Sequence, residues 1–310
     1  MRKINKKRLP VLILAIIVIL GNTFLHSNMG RTLVNQFKTK FQIHDLSQTS
    51  KNEEEVIPAT GEMKVTFIDV GQGDATLVQT STSSLLMDTG KPAAKEELIN
   101  ALSNAGVSTI DYLILTHPDA DHVGNGDTIV ETYDVKNVIY PDIEKDTKCW
   151  EITKTAIEER NINTIHPTVG ESYQLGDASF TILCPARIKE DANNSSVGIK
   201  LTHGNNSFVM CGDAEEEEEW EMVTGSINLE ADVLKCGHHG SSTATCDKFL
   251  EAVNPTYAVI SSGAGNSYGH PHAEVIAKLQ DDDVQIYRTD QLGTITAISD
   301  GTTIQWKSEK

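Results

Sequence analysis

The stretch Leu113 to Asn125, LILTHPDADHVGN, constrains this chain more than any other. An apolar run suited to a buried strand passes through Thr116 and then presents His117, Asp119, Asp121 and His122 within six residues, ahead of Gly124. A strand that ends in a loop can aim alternate side chains at one point. His117 and Asp119 are thus placed to share one cation, and Asp121 and His122 to reach a second beside it. The competing reading is a polar turn that caps a helix through Asp121. Capping accounts for one aspartate and leaves two histidines and a second carboxylate unexplained.

Two later stretches extend the pattern. NSFVMCGDAEEEEEW sets Gly212-Asp213 at the end of one predicted strand, and ADVLKCGHHGS sets His238 and His239 at the end of another. Taken singly, Asp213 could cap the glutamate run and the two histidines could belong to a turn. Taken together, three strand-end clusters point to metal. Asp213 can bridge two cations through its two oxygens, with one histidine, His238 by preference, completing the second coordination sphere. Asp119, Asp121 and Asp213 held close together would repel one another unless cations compensated them. Two divalent ions would activate water and neutralise charge developing on a phosphoryl or carbonyl oxygen, so the expected chemistry is hydrolysis.

The rest of the body reads as alternating hairpins and helices. MKVTFIDVGQGDATLVQT from Met63 predicts two strands joined at Gly71-Gln72-Gly73-Asp74, and SLLMDTG a third that ends in Asp88. A helix is expected over 92–105, with Pro92 in its first turn and Gly106 ending it. Strand 111–115 follows, then helices over 121–132 and 147–160, and strands within 163–183 and 197–211. Later come a helix at 214–223, a strand at 231–235, a helix at 246–253, a strand at 256–261, a helix at 271–281 and paired strands over 284–307. Two mixed sheets packed face to face with helices outside, a four-layer αββα sandwich, satisfy this order.

Charge divides the chain. Eight of its 26 Lys and Arg and none of its 44 Asp and Glu lie in the first 40 residues, so positions 41–310 carry 18 basic against 44 acidic side chains. Such a body is repelled by polyanions at long range, and a nucleic-acid substrate would need local basic contacts or bound cations. Lys200, Lys235 and Arg288 are candidates for those contacts, though surface ion pairing is the commoner use of such residues. Five basic residues precede the apolar run Val11 to Leu20, so residues 1–25 are expected to be a signal peptide or signal-anchor. Residues 26–61 would be a polar linker and residues 62–310 the hydrolase domain. Either form of leader puts the body outside the cytoplasm, secreted or held on the outer face of the membrane. The five cysteines show no C-x-x-C spacing, which argues against a zinc ribbon.

The order DVGQGDA, a strand ending in Asp88, HPDADH, GD and HHGS resembles the metallo-β-lactamase superfamily, and within it the metallo-hydrolase domain of ComEC-type DNA-uptake competence proteins. The resemblance spans roughly residues 62–308. It implies His117, Asp119, Asp121, His122, Asp213 and His238 as metal ligands, with Asp121 and Asp213 also serving catalysis. Asp88 is implied to steady the metal loop, and Asp74, Asn194 and His239 to lie behind the ligands or at the rim. SSGAGNSYGHPH resembles the same proteins and implies that His270 and His272 face the groove, where they contact substrate or give a proton to the leaving group. Asp119 stands where the general superfamily pattern has histidine, and Asn193-Asn194-Ser195-Ser196 where a further histidine is expected. Carboxylate-rich donors suit manganese as well as zinc, so the implied cofactors are two divalent ions of either kind.

Three function classes follow: an exported phosphodiesterase or nuclease acting on DNA or another phosphodiester, a hydrolase of a non-nucleic substrate such as a β-lactam or a phosphocholine-type ester, and an idle binding module. No obligate protein partner is evident, and membrane association would run through the leader.

Overall fold

The computed structural model describes residues 61–143 and 145–310. The expected leader at 1–25 and all but the last residue of the expected linker at 26–61 lie outside the described residues.

Among the described residues, fifteen strands form two sheets. The first holds β1 (Met63–Phe67), β2 (Thr76–Gln79), β3 (Ser84–Met87), β4 (Thr109–Ile114), β5 (Asp134–Ile139), β6 (Asn163–Ile165) and the hairpin β14 (Ile295–Ser299) and β15 (Ile304–Ser308). Its spatial order is β15-β14-β1-β2-β3-β4-β5-β6. The second holds β7 (Ser172–Leu175), β8 (Ala178–Cys184), β9 (Gly198–His203), β10 (Asn206–Met210), β11 (Val233–Lys235), β12 (Tyr257–Ile260) and β13 (Gln285–Arg288). They stand in the order β13-β12-β11-β10-β9-β8-β7. The helices are α1 (Lys95–Asn104), α2 (Ala120–Val123), α3 (Gly126–Thr132), α4 (Lys148–Glu159), α5 (Glu216–Thr224), α6 (Asp247–Val253), α7 (Ala273–Asp281) and α8 (Thr289–Leu292).

Three apolar clusters make the layers. Alternation along β1 turns Met63, Val65 and Phe67 inward while Lys64 faces water. Those residues meet Phe180, Ile199, Leu201 and Phe208 of the second sheet in a core shared by both, where each fully buried side chain contributes roughly 1.5–3 kcal/mol. On the outer face of the first sheet, Leu77, Leu86 and Leu113 pack against Leu98 and Leu102 of α1, Ile129 of α3 and Trp150 of α4. Outside the second sheet, Val209, Leu234 and Ile260 pack against Met222 of α5, Phe249 of α6 and Leu279 of α7. The result is an αββα sandwich.

Three local expectations are corrected. Residues 121–132 form two helices rather than one, because Asn125 is buried and spends its amide on the carbonyls of Thr89 and Lys91, at 2.8 Å each. The strand β5 was not anticipated; its alternating Asp134 and Lys136 face water and mask a buried Val135, Val138 and Ile139. The strands within 284–307 do not all pair with one another: β13 runs parallel to β12 in the second sheet, while β14 joins β1 in the first. Among the described residues all five cysteines are free, and no helix is long and apolar enough to cross a membrane.

Neighbouring strands run parallel where the site forms. β3 and β4 are parallel in the first sheet, and β10, β11 and β12 in the second. Their carboxyl ends therefore share an edge, and the segments after Met87, Ile114, Met210, Lys235 and Ile260 emerge together.

Candidate metal centre

Asp213, which follows β10, sits at the middle of the donors. Its Oδ1 lies 3.2 Å from His122 Nε2, and its Oδ2 lies 3.5 Å from His239 Nε2 and 3.9 Å from His117 Nε2. All four residues are buried, none more than 3% exposed. Asp121 closes the ring with its Oδ2 3.3 Å from His239 Nε2. Ligand atoms of Asp74, His122, Asp213 and His239 all fall within 4.8 Å of one another.

Each ring nitrogen that faces away from Asp213 has a partner, and those partners set the tautomers. Asp88 accepts from the backbone N–H and the hydroxyl of Thr116, both at 2.8 Å, and lies 2.8 Å from His122 Nδ1. His122 therefore carries its proton on Nδ1. The Thr116 hydroxyl, having donated to Asp88, is left as an acceptor 3.1 Å from His117 Nδ1. His239 Nδ1 is 3.1 Å from the Ser261 carbonyl oxygen, which can only accept. Three Nε2 atoms thereby face inward, where they and Asp213 Oδ1 meet one another and Asp121 at 3.2–3.9 Å with no well-aligned hydrogen bond. Buried polar atoms are ordinarily paired, so a donor set of imidazole and carboxylate with orphaned inner atoms fits divalent metal.

The electrostatics show which charge this point attracts, a proton on His122 where no cation takes its place. Burial, with the neighbouring His122 ring, pushes His117 down to about 4. Against the opposing effect of burial, the carboxylates of Asp213 and Asp88 raise His122 well above its ordinary value. The same pairing with His122 and His239 holds Asp213 well below the usual carboxylate range, burial again opposing. The carboxylates draw positive charge to this point.

Backbone strain is concentrated in the same loops. Asp88, His238 and His239 take φ of 61°, 47° and 55°, in the left-handed region that costs a non-glycine residue roughly 1–3 kcal/mol. Gly73, at φ 145°, is required for a different reason: a Cβ there would stand 2.5 Å from the Asp121 carbonyl oxygen. The same oxygen accepts from Asp74 N–H at 3.1 Å, so the first hairpin is fastened to the metal loop.

The remaining predicted residues are placed as follows. His238, read from sequence as the ligand in preference to His239, is the outer of the two. Its Nε2 is 3.7 Å from Asp213 Oδ2, its side chain is 24% exposed, and its Nδ1 is engaged at 3.0 Å by Glu215 and at 3.2 Å by Thr243. Asp119 pairs with Lys145 and lines the cleft. Asp74, read as rim, is buried on Lys235 at 2.5 Å, with its other oxygen 3.7 Å from His239 Nδ1. Asn194 does not face the cleft: its Oδ1 takes the N–H groups of Glu215 and Glu218, both at 3.2 Å, at the start of α5. His270 lines the cleft, and His272, which does not, packs edge-on against it with centroids 4.9 Å apart, its Nδ1 accepting from Ser242 N–H at 2.9 Å. None of the three candidate phosphate contacts reaches the cleft. Lys235 is committed to Asp74, Lys200 to the Asn228 carbonyl and Arg288 to Asp290.

Sequence reasoning passed over Lys145, Gln72 and Tyr268. Gln72 lay inside a motif read only as a hairpin turn. Its Oε1 accepts from Gly263 N–H at 3.1 Å, which orients its amide nitrogen toward His270 Nδ1 at 3.4 Å and leaves the His270 proton on Nε2. The cleft over these donors measures about 130 Å³. Two larger surface depressions, of about 650 and about 750 Å³, contain none of them.

Known proteins resemble this chain in sequence or in fold. The family model of the metallo-beta-lactamase superfamily matches residues 68–264. ComE operon protein 3 of Bacillus subtilis (strain 168) is 34% identical over 256 residues, covering 76% of this chain and 33% of that protein. Competence protein ComA of Neisseria gonorrhoeae is 33% identical over 245 residues, 78% of this chain and 33% of that one. The chain thus spans about a third of the length of these relatives. Among solved structures, the metallo-beta-lactamase fold protein YhfI from Bacillus subtilis aligns with a TM-score of 0.52 at 14% identity, over 79% of this chain and 100% of that one. Igni18, a metallo hydrolase from the archaeon Ignicoccus hospitalis, aligns with a TM-score of 0.53 at 16% identity, over 76% and 98%. At such identities the two structures share the fold. Since the matched span runs from Ile68 to Ala264 and encloses every buried donor from Asp74 to His239, the chain belongs to the metallo-beta-lactamase superfamily of metal-dependent hydrolases.

Proposed function

We propose that this chain is an exported, two-metal phosphodiesterase whose substrate is DNA or another phosphodiester. The observation that carries the metal-dependent part is the convergence of three orphaned, buried imidazole nitrogens on one carboxylate. His117, His122, His239, Asp121 and Asp213 would hold the cations, with Asp119 and Asp74 adjoining. When bound, the two ions supply an activated water and neutralise charge on the phosphoryl oxygens. The chain's own residues do the rest. Asp88 and Ser261 lock the ring orientations, and the Asp74–Lys235 pair closes the site from behind. His270, with its proton on Nε2, is a hydrogen-bond donor at the cleft, suited to the leaving oxygen.

The choice of a phosphodiester rests on one relative named as a competence protein in Neisseria gonorrhoeae and another named as a recombination protein in Haemophilus influenzae. Export rests on the basic residues and apolar run at positions 1–25. The strongly acidic body favours a second reading, a hydrolase of a small non-nucleic substrate. The full chain should bind about two divalent ions and hydrolyse bis-p-nitrophenyl phosphate with manganese or zinc. Asp213→Ala should lose both properties, turnover falling to background. Cleavage of linear DNA without nitrocefin hydrolysis supports the phosphodiester reading, and the reverse supports the second. Stoichiometric metal with no turnover on phosphodiesters, esters or lactams would sink the enzymatic reading.

A further inference from the structure

One exposed ring at the cleft has no use in the chemistry above. Tyr268 is 66% exposed, more than any other large apolar or aromatic side chain among the described residues, and it lines the same cleft as Asp121, Asp213 and His239. It lies beyond the span matched by the family model. Its loop is tied down by Asn266, whose Oδ1 accepts from the N–H groups of Tyr268 and His270, both at 3.1 Å. The Asn266 amide donates to the carbonyls of Gly263 and His270, at 2.9 and 2.5 Å. The Tyr268 ring stacks on His270 with centroids 5.6 Å apart and planes at 25°. His270 in turn is stacked at 6.2 Å and 29° over His239. A series of near-parallel rings thus runs from solvent to the buried donors.

A ring held in water by a pinned loop adds little to the core. It does offer a flat surface one ring away from the donors. The acidic body supplies few cations for a phosphate backbone, with 18 basic against 44 acidic residues in positions 41–310. Binding energy for a nucleic substrate must then come largely from elsewhere, and stacking of a base on an aromatic ring contributes roughly 1–3 kcal/mol without reading sequence. The cleft of about 130 Å³ is small and is bordered by Tyr268. Bases locked in a duplex cannot lay a face on a single side chain.

We propose that Tyr268 is a stacking platform for an unpaired nucleobase next to the scissile phosphodiester, so that the substrate is a nucleotide ester or the unpaired end of a strand rather than intact duplex. This rests on the phosphodiesterase reading. The test uses the metal-loaded full chain and two esters that share a leaving group, thymidine 5′-p-nitrophenyl phosphate and methyl p-nitrophenyl phosphate. Tyr268→Ala should raise KM for the thymidine ester by roughly 5- to 150-fold. Any effect passed on through His270 should change kcat for the two esters alike, so the test reads the ratio of their KM values, and Tyr268→Phe should behave as the wild type. Equal rises in KM for both esters in the alanine variant, or a phenylalanine variant as impaired as alanine, overturn the proposal. If the wild type hydrolyses neither ester, the phosphodiesterase reading itself fails. Calorimetric titration then decides the platform: thymidine 5′-monophosphate should bind more tightly than inorganic phosphate, an advantage lost in Tyr268→Ala, and equal binding overturns it.

Discussion

His238 and His239 are adjacent in sequence and opposite in circumstance. The first is held by Glu215 and Thr243 at the cleft wall, and the second is 1% exposed with an unpartnered Nε2. His239→Ala should therefore lower bound metal by about one equivalent, whereas His238→Ala should leave metal content intact; elemental analysis of the two purified variants separates them. Nothing in the residues HHGS could have made that choice. It is decided by two successive left-handed backbone conformations that local pattern does not announce for histidine. The cluster HPDADH was legible because six residues held four donors and needed no tertiary information. Asp74 was harder to read, since a carboxylate in a Gly-rich turn looks exposed until its buried partner, Lys235, is brought from 161 positions away.

At the scale of elements, two glutamates of the run in α5, Glu218 and Glu219, make that helix an internal strut. A helix over 214–223 was legible from pattern, but its burial was not. Glu218 is buried against Lys189, and Glu219 is buried with its oxygens on the N–H groups of Thr245 and Cys246 at 2.6 and 2.8 Å. The helix thereby holds the segment just beyond the HHGS turn. Burial pushes the Glu219 carboxyl up from its ordinary 4.5 to about 7, against those two donors. Between these values the folded chain keeps a proton that the unfolded chain has released, so this group makes stability fall as pH rises across that window. Glu219→Gln has no proton to lose, and its urea-unfolding free energy should decline less over the same pH series. A variant that declines as steeply as the wild type would remove Glu219 as the source. The helix–strand alternation was readable for long periodic segments; it missed β5, whose exposed Asp134 and Lys136 break up its apolar run, and it found a strand at β13 but gave it the wrong neighbour.

Taken whole, the molecule draws its donors from both sheets. Asp74, His117, Asp121 and His122 follow strands of the first, and Asp213 and His239 follow strands of the second. Bound cations would cross-link the two. Manganese or zinc at about 100 times its dissociation constant should stabilise the folded chain by about 2.7 kcal/mol. In a thermal melt, chelator should lower the unfolding midpoint of the wild type and leave Asp213→Ala unmoved. The layered architecture was foreseeable from the order of hairpins and helices, but the edge at which the donors gather depends on which strands run parallel, β3 with β4 and β10 with β11 and β12, and on the stacking of one sheet on the other.

Phe180 and Phe208, wedged between the sheets, carry a consequence that reaches beyond stability. Because the two halves of the donor set ride on separate layers, the thickness of the filling governs how far apart the two halves stand. Trimming either ring should let the layers settle and shift the two halves of the donor set relative to one another with every donor untouched.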